Sequence, residues 1–184
     1  MARALLRPPT PEGLRYERDA ITPEQESELA RVFATLPLRQ FEFHGHLGKR
    51  RVVSYGFRYD FGVRKLQEAE EMPPFLSELR KRAAAFAGLA PEALVQSSVI
   101  EYDPGTEIGW HRDKPEFGDV LGVSFLSACR FRFRRRAGSG WERFTLTLEP
   151  RSIYLLRGPA RDEWEHSIPA VPALRYSATF RSLR

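Results

Sequence analysis

Apolar positions recur at helical spacing in two stretches of the first half of the chain and at strand spacing through the second half. Phe75, Leu76, Leu79, Ala83 and Phe86 lie on one helical face between Pro74 and Ala87, and Gly88 follows as a stop signal. An earlier helix is predicted from Thr22-Pro23-Glu24-Gln25 to about Thr35. Here a threonine cap, a proline in the first turn and a glutamine three residues on satisfy the free amides of a helix start. Leu14-Arg15-Tyr16 reads as a short strand, and Gln40 to Tyr59 as two β-prone runs around Gly45 and Gly48, a hairpin-like lid. From Val95 onward the strand candidates are Ser97 to Tyr102, Glu107 to His111, Asp119 to Leu126, Cys129 to Arg135, Trp141 to Leu148, Ile153 to Leu156 and Arg175 to Ser182. Turn residues separate them at Asp103-Pro104-Gly105, Gly138-Ser139-Gly140 and Glu149-Pro150-Arg151-Ser152. Short strands of similar length closing into two sheets make a jelly roll. The expected class is therefore α+β: a double-stranded β-helix (jelly roll) with two buttressing helices and an N-terminal substrate lid. Residues 1–13, rich in proline, are expected to be poorly ordered. Residues 14–184 form one domain, with helices and lid in 14–94 and the jelly-roll core in 95–184.

Composition narrows the class without naming an activity. The chain has 184 residues, 42% hydrophobic and 29% charged, the balance of a globular domain. No stretch approaches the roughly 20 apolar residues needed to span a bilayer, and the N-terminus lacks the apolar core of a signal peptide. The single Cys129 excludes an internal disulfide. It fits a reducing cytoplasm, and a buried hydrophobe is its expected role. A monomer without a membrane partner is expected. The net charge is +5 and the pI about 9.6, which favours a polyanionic partner. Basic residues concentrate at Lys49-Arg50-Arg51 and at Arg130-Phe131-Arg132-Phe133-Arg134-Arg135-Arg136. Strand alternation in the second run sends Phe131 and Phe133 inward. Arg130, Arg132 and Arg134 then line either a solvated outer face or the edge of a phosphate-binding groove.

The chemistry-bearing residues lie downstream. His111 and Asp113 are two apart, so on a strand both side chains leave one face and can reach one metal ion. With His166 they make two histidines and one carboxylate, the facial set that leaves half of an octahedral Fe(II) sphere open. Alone, His111-x-Asp113 also reads as a solvated pair at a strand end, and His166 as a packed histidine. A second metal reading would use His44-x-His46, which lacks a third ligand of matched context. In Leu174 to Arg181, alternation places Arg175, Ser177, Thr179 and Arg181 on one face and Tyr176, Ala178 and Phe180 on the other. Arginines on a buried face need anionic partners, and two of them suit a ligand with two carboxylates. In a straight strand those two lie about 20 Å apart at roughly 3.3 Å per residue, so their side chains must converge. An exposed edge strand is the competing reading.

Taken together, Tyr102-x-Pro104-Gly105, His111-x-Asp113, His166 and Arg175-x-Ser177-x-Thr179-Phe180-Arg181 resemble the AlkB family of Fe(II)/2-oxoglutarate-dependent dioxygenases. Gly45-His46-Leu47-Gly48 and Gly56-Phe57-Arg58-Tyr59 resemble that family's nucleotide-recognition lid more loosely. The resemblance implies that His111, Asp113 and His166 hold iron. It implies that Tyr102 and Arg175 grip the distal carboxylate of 2-oxoglutarate and Arg181 the carboxylate beside the keto group. It further implies oxidative demethylation of N-alkylated bases in DNA or RNA, with release of formaldehyde, succinate and CO2. The base is presented on a single strand or flipped from a duplex, and Phe57, Tyr59 and Arg51 are the substrate-side candidates. Trp110 and Trp164 flank metal ligands and would shape the pocket or pack in the core. Ile100 and Ser177 stand where the family often carries asparagines that help hold the cosubstrate, so that contact must be made by other residues. Pro115 and Lys49 also depart from the family pattern on the substrate side. The alternatives are a protein-directed 2-oxoglutarate oxygenase, hydroxylase or demethylase, of the same fold and a non-catalytic metal-bound or basic nucleic-acid-binding module. The intact triad and both arginines argue against the latter.

Overall fold

The computed structural model describes residues 10–43, 46–60, 62 and 65–184. Strand β1 (Leu14–Glu17) leads to helix α1 (Pro23–Phe33), where Thr22 and Gln25 exchange the two predicted capping hydrogen bonds. There follow β2 (Arg39–Phe43), β3 (His46–Tyr55), β4 (Phe57–Asp60) and β5 (Lys65–Glu68). The second predicted helix starts with a 3-10 turn, Pro74–Leu76, and continues as α2 (Ser77–Ala87). It ends at Gly88, whose left-handed φ of 70° most side chains resist. The rest of the chain is β6 (Leu94–Tyr102), β7 (Ile108–His111), β8 (Phe117–Phe125), β9 (Cys129–Ala137), β10 (Gly140–Leu148), β11 (Ile153–Leu156), the single turn α3 (Pro159–Asp162), β12 (Glu165–Ile168) and β13 (Arg175–Leu183).

Two antiparallel sheets face each other, as a jelly roll requires. The larger has the order β1-β11-β8-β13-β6-β3-β2 and the smaller β10-β9-β12-β7. Each face of the larger sheet has its own core. On the outer face Phe33, Leu79, Ala83 and Phe86 from the two helices pack on Val99, Val123, Tyr176, Ala178 and Phe180. The helices therefore buttress the larger sheet. Between the sheets, Ile100, Tyr102, Val120, Tyr154 and Leu156 meet Phe131, Phe133, Leu148 and Ile168. β13 shows the division most clearly: its Tyr176, Ala178 and Phe180 join the helix-side core, while Arg175, Ser177, Thr179 and Arg181 line a cavity on the other face.

Two sequence expectations are refined. Glu12 and Gly13 accept backbone hydrogen bonds from Ala160 and Arg157, so the chain is tied down before Leu14. The region expected as a lid divides. β2 and β3 pair with each other, and β3 also pairs with β6, so this hairpin extends the large sheet. β4 and β5 form a separate two-stranded sheet, whose Tyr59, Asp60 and Glu68 line the cavity. Residues 44 and 45, and with them the His44-x-His46 alternative, lie outside the described residues.

Candidate active site

β12 pairs with β7 so that His166 stands directly opposite His111. Their ring centroids are 4.4 Å apart, and Asp113, two residues past the strand end, brings its Oδ2 to 3.5 Å from His166 Nε2. Ligand-capable atoms of the three residues all lie within 4.8 Å of one another, a span that one ion can bridge. His111 Nδ1 is 2.9 Å from the carbonyl oxygen of Gly109. An Nδ1–H donated there leaves Nε2 with the lone pair, the tautomer a metal needs.

The electrostatics suit a cation. Burial alone would push the Asp113 carboxyl up, but Arg181 and the two histidines outweigh it and hold it well below the usual carboxylate range. Burial, reinforced by His111, pushes His166 down to about 3, so its imidazole is neutral at ordinary pH. Arg181 Nε donates to Asp113 Oδ1 at 3.0 Å, and its Nη1 donates to Gln96 Oε1 at 2.8 Å and Thr179 Oγ1 at 3.1 Å. The aspartate is thereby held by an arginine that is itself held by two neighbours.

Arg175 lies deeper in the same cavity. It is 1% exposed, its Nη2 donates to Ser124 Oγ at 2.9 Å, and its guanidinium stands 4.7 Å from the Tyr102 ring, its register partner on β6. Its Nε and Nη1 have no hydrogen-bond partner. Buried guanidinium donors left open carry a desolvation cost that a carboxylate would offset through a charge-assisted pair. The donor set therefore fits a dicarboxylate beside a metal ion. The cavity has a volume of about 1480 Å³, more than an ordinary small-molecule pocket, so a cosubstrate leaves room for part of a second reactant.

The sequence-derived candidates sort into two groups. His111, Asp113, His166, Tyr102, Arg175, Arg181 and Tyr59 all line this cavity. Lys114 Nζ stands 4.3 Å over the Tyr59 ring. Phe57 is not among the lining residues. Arg51 leaves β3 on the helix side, where its Nε donates to the buried Glu101 at 2.6 Å; Tyr176 Oη also donates to Glu101, at 3.0 Å. Trp110 lines the cavity, whereas Trp164 is buried in the inter-sheet core. Of the two positions lacking the expected amide, Ile100 and Ser177 both face the cavity, and the amide present there belongs to Gln96 on the same face of β6.

Four residues escaped the sequence reading. Arg50, not Arg51, lines the cavity, and its charge is felt by Tyr102, Arg181 and Asp113. Both faces of β3 mix polar and apolar residues, so the parity was not readable. Gln96 had no motif to mark it. Arg161, buried in α3, donates through Nη2 to the carbonyls of Lys114 and Phe117 and so fixes the segment that follows Asp113. Tyr154 reaches the cavity across Gly122, its strand partner: a Cβ there would sit 2.4 Å from the tyrosine ring. A phenol in a buried wall is pushed above its usual range, and Tyr154 stays protonated.

A jelly roll with two histidines and an aspartate at one end of its core, and a buried open arginine beside them, defines a class. The chain belongs to the 2OG-Fe(II) oxygenase superfamily, whose family model matches residues 14–181. That family works with Fe(II) and 2-oxoglutarate, the metal and dicarboxylate that the cavity fits. Within it the relatives are AlkB proteins. The chain is 33% identical over 147 residues to "Alkylated DNA repair protein ALKBH8 homolog" of Arabidopsis thaliana, an alignment covering 67% of this chain and 42% of that protein. It is 25% identical over 150 residues to "RNA demethylase ALKBH9B" of the same plant, covering 73% of this chain and 30% of that protein. The chain thus spans less than half the length of either relative. The solved structure of OsALKBH1 superposes with a TM-score of 0.72 over 96% of this chain and 98% of that one, at 16% identity, a likeness of fold. No helix among the described residues is long and apolar enough to cross a membrane.

Proposed function

We propose that this protein is an Fe(II)/2-oxoglutarate-dependent dioxygenase that removes N-methyl groups from bases in nucleic acid, releasing formaldehyde. The observation that carries the proposal is the pairing, in one cavity, of the three-residue metal set with a buried arginine whose Nε and Nη1 lack partners. Iron(II) with 2-oxoglutarate and O2 supplies oxidation of a substrate C–H bond, coupled to release of succinate and CO2.

The chain's own residues bind, orient and exclude water. In this proposal His111, Asp113 and His166 hold the metal, and neutral His166 needs no deprotonation first. Arg175 with Tyr102 takes one carboxylate of 2-oxoglutarate. Arg181, already holding Asp113, takes the other, with Arg50 and Gln96 supplying what the missing asparagines would give. Phe131, Tyr154, Ile108 and Val120 wall the cavity with apolar surface and keep bulk water from the reacting centre. Tyr59, which lines the cavity from the β4–β5 hairpin, offers a ring on which a base can stack. Hydroxylation of an N-methyl group gives a hemiaminal that collapses to formaldehyde and the unmodified base. The nucleic-acid direction is supported by what the relatives' names describe, alkylated DNA repair and RNA demethylation.

The test offers N-methylated oligonucleotides and N-methylated peptides to the iron-loaded protein with 2-oxoglutarate under O2, and measures formaldehyde. The proposal expects release from an oligonucleotide. Release from peptides alone would replace it with the protein-directed oxygenase.

A further inference from the structure

The four-stranded sheet has two faces of opposite character. Phe131, Phe133, Leu148 and Ile168 point into the core. On the outer face, the register sets Arg130, Arg132, Arg134 and Arg136 of β9 beside Thr147, Thr145, Arg143 and Trp141 of β10. The same arginine row meets Glu165 and Ser167 of β12. Two indoles are threaded into it. The Arg134 guanidinium stands 4.4 Å from the Trp110 ring and 4.3 Å from the Trp141 ring; Arg132 lies 5.1 Å over Trp110 and Arg136 4.2 Å over Trp141. Among the residues these registers place on the face, five arginines meet one carboxylate, Glu165, which pairs with Arg134 at 2.6 Å. Arg130, Arg136 and Arg143 are exposed.

This is a built arrangement and not a solvated fringe of flexible charges. A guanidinium laid on an indole gives up its side-chain freedom in advance, as Arg132 and Arg134 do further through Nε bonds to Ser167 and Glu165, so less is lost when an anion arrives. Alternate positions along β9 repeat the donor roughly every 6.6 Å. The row also connects to the cavity. Trp110 lines it, and β7, which carries Trp110, is the edge strand of the sheet.

We propose that this outer face is an exosite for the phosphate backbone of a single-stranded nucleic acid whose reacting base occupies the cavity. The proposal rests on the demethylase reading above and adds the path of the strand. From the cavity the chain passes over the β7 edge at Trp110, crosses β12 and turns along the β9 row, where Arg130 and Arg136 lie about 20 Å apart at roughly 3.3 Å per residue. Cavity and row lie on opposite faces of the sheet, so the ligand must turn around an edge. A flexible single strand can do so, whereas a duplex, stiff over about 150 base pairs, cannot. Arginine with aromatic rings on a flat sheet is also the chemistry that holds single strands without reading their sequence.

The experiment compares a methylated trinucleotide with an oligonucleotide of about twelve residues carrying the same base. The variant is R130Q/R136Q/R143Q, whose three side chains are exposed. Its succinate production from 2-oxoglutarate without substrate should match the wild type, which confirms the fold and the centre. The wild type should bind the longer strand more tightly. The variant should lose that advantage, with the salt slope smaller by about 2 and affinity at 0.1 M salt lower by roughly a hundredfold. Turnover of the trinucleotide should be unchanged. Equal affinity of wild type and variant for the longer strand, or no advantage of length in the wild type, would overturn the exosite and leave the demethylase reading standing. If the wild type released formaldehyde from neither oligonucleotide yet bound the longer one through these arginines, the row would stand as a single-strand binding surface, and the demethylase reading, with the reacting base in the cavity, would fall.

Discussion

Single residues carry the chemistry here because each acts through a neighbour that fixes it. Three ligand-capable residues converge on one point, so H111A or D113A is expected to abolish tight Fe(II) binding and succinate production together. Arg181 makes three side-chain hydrogen bonds, one to the Asp113 carboxylate. An ammonium cannot reproduce that fork, and losing charge-assisted bonds worth about 1.5–3 kcal/mol each puts the expected fall in kcat/KM for R181K at roughly ten- to a hundredfold or more. His166 also predicts a pH dependence. Unfolded, it binds a proton near its ordinary value of 6.5; folded, it stays neutral to about 3. The unfolded state therefore holds more protons throughout that window, and the metal-free protein should lose stability as pH falls from about 6.5 towards 3. Asp113, held low in the folded state, should add to the loss below about 4. Urea unfolding midpoints measured in chelator would show this, and H166Q should flatten the slope between pH 6.5 and 4. A wild-type midpoint that stays constant across that range would contradict the burial of a neutral histidine.

Elements were readable where one physical signal dominated. Thr22 to Gln25 and Gly88 marked helix ends through capping chemistry, and β13 announced its two faces because arginines alternate with tyrosine and phenylalanine. β12 was missed. Its four residues, Glu165-His166-Ser167-Ile168, hold one β-branched residue, and only pairing with β7 and β9 makes them a strand. β5 is as polar and forms only against β4. The choice between Arg50 and Arg51 failed for a related reason: β3 mixes charged and apolar residues on both faces, so period-two alternation gave no inside. Carry-over by motif named the three residues that cluster as a candidate metal set, but Gln96, Arg161 and Tyr154 belong to no motif and emerge only from packing. A methyl group at Gly122 would meet the Tyr154 ring at 2.4 Å, so G122A must displace a cavity wall. The expected cost is about 1–3 kcal/mol in urea unfolding, with a raised KM for 2-oxoglutarate.

At the scale of the whole molecule, the jelly roll separates three tasks that the sequence interleaves. The helix side of the large sheet is core, the space between the sheets holds the candidate metal set and the buried arginine, and the outside of the small sheet gathers arginine. The net charge of +5 matters through this distribution more than through its size. In this proposal the metal set and the buried arginine act as one site for a metal ion with a dicarboxylate. Anaerobic calorimetric titration of 2-oxoglutarate into the Fe(II)-loaded protein tests it most directly. One equivalent should bind per chain. Binding should be at least tenfold weaker in R175M, where a charge-assisted pair is lost, and weaker again when the metal is removed by chelation. Equal affinity with and without metal, and in R175M, would show that metal and arginine do not form one site.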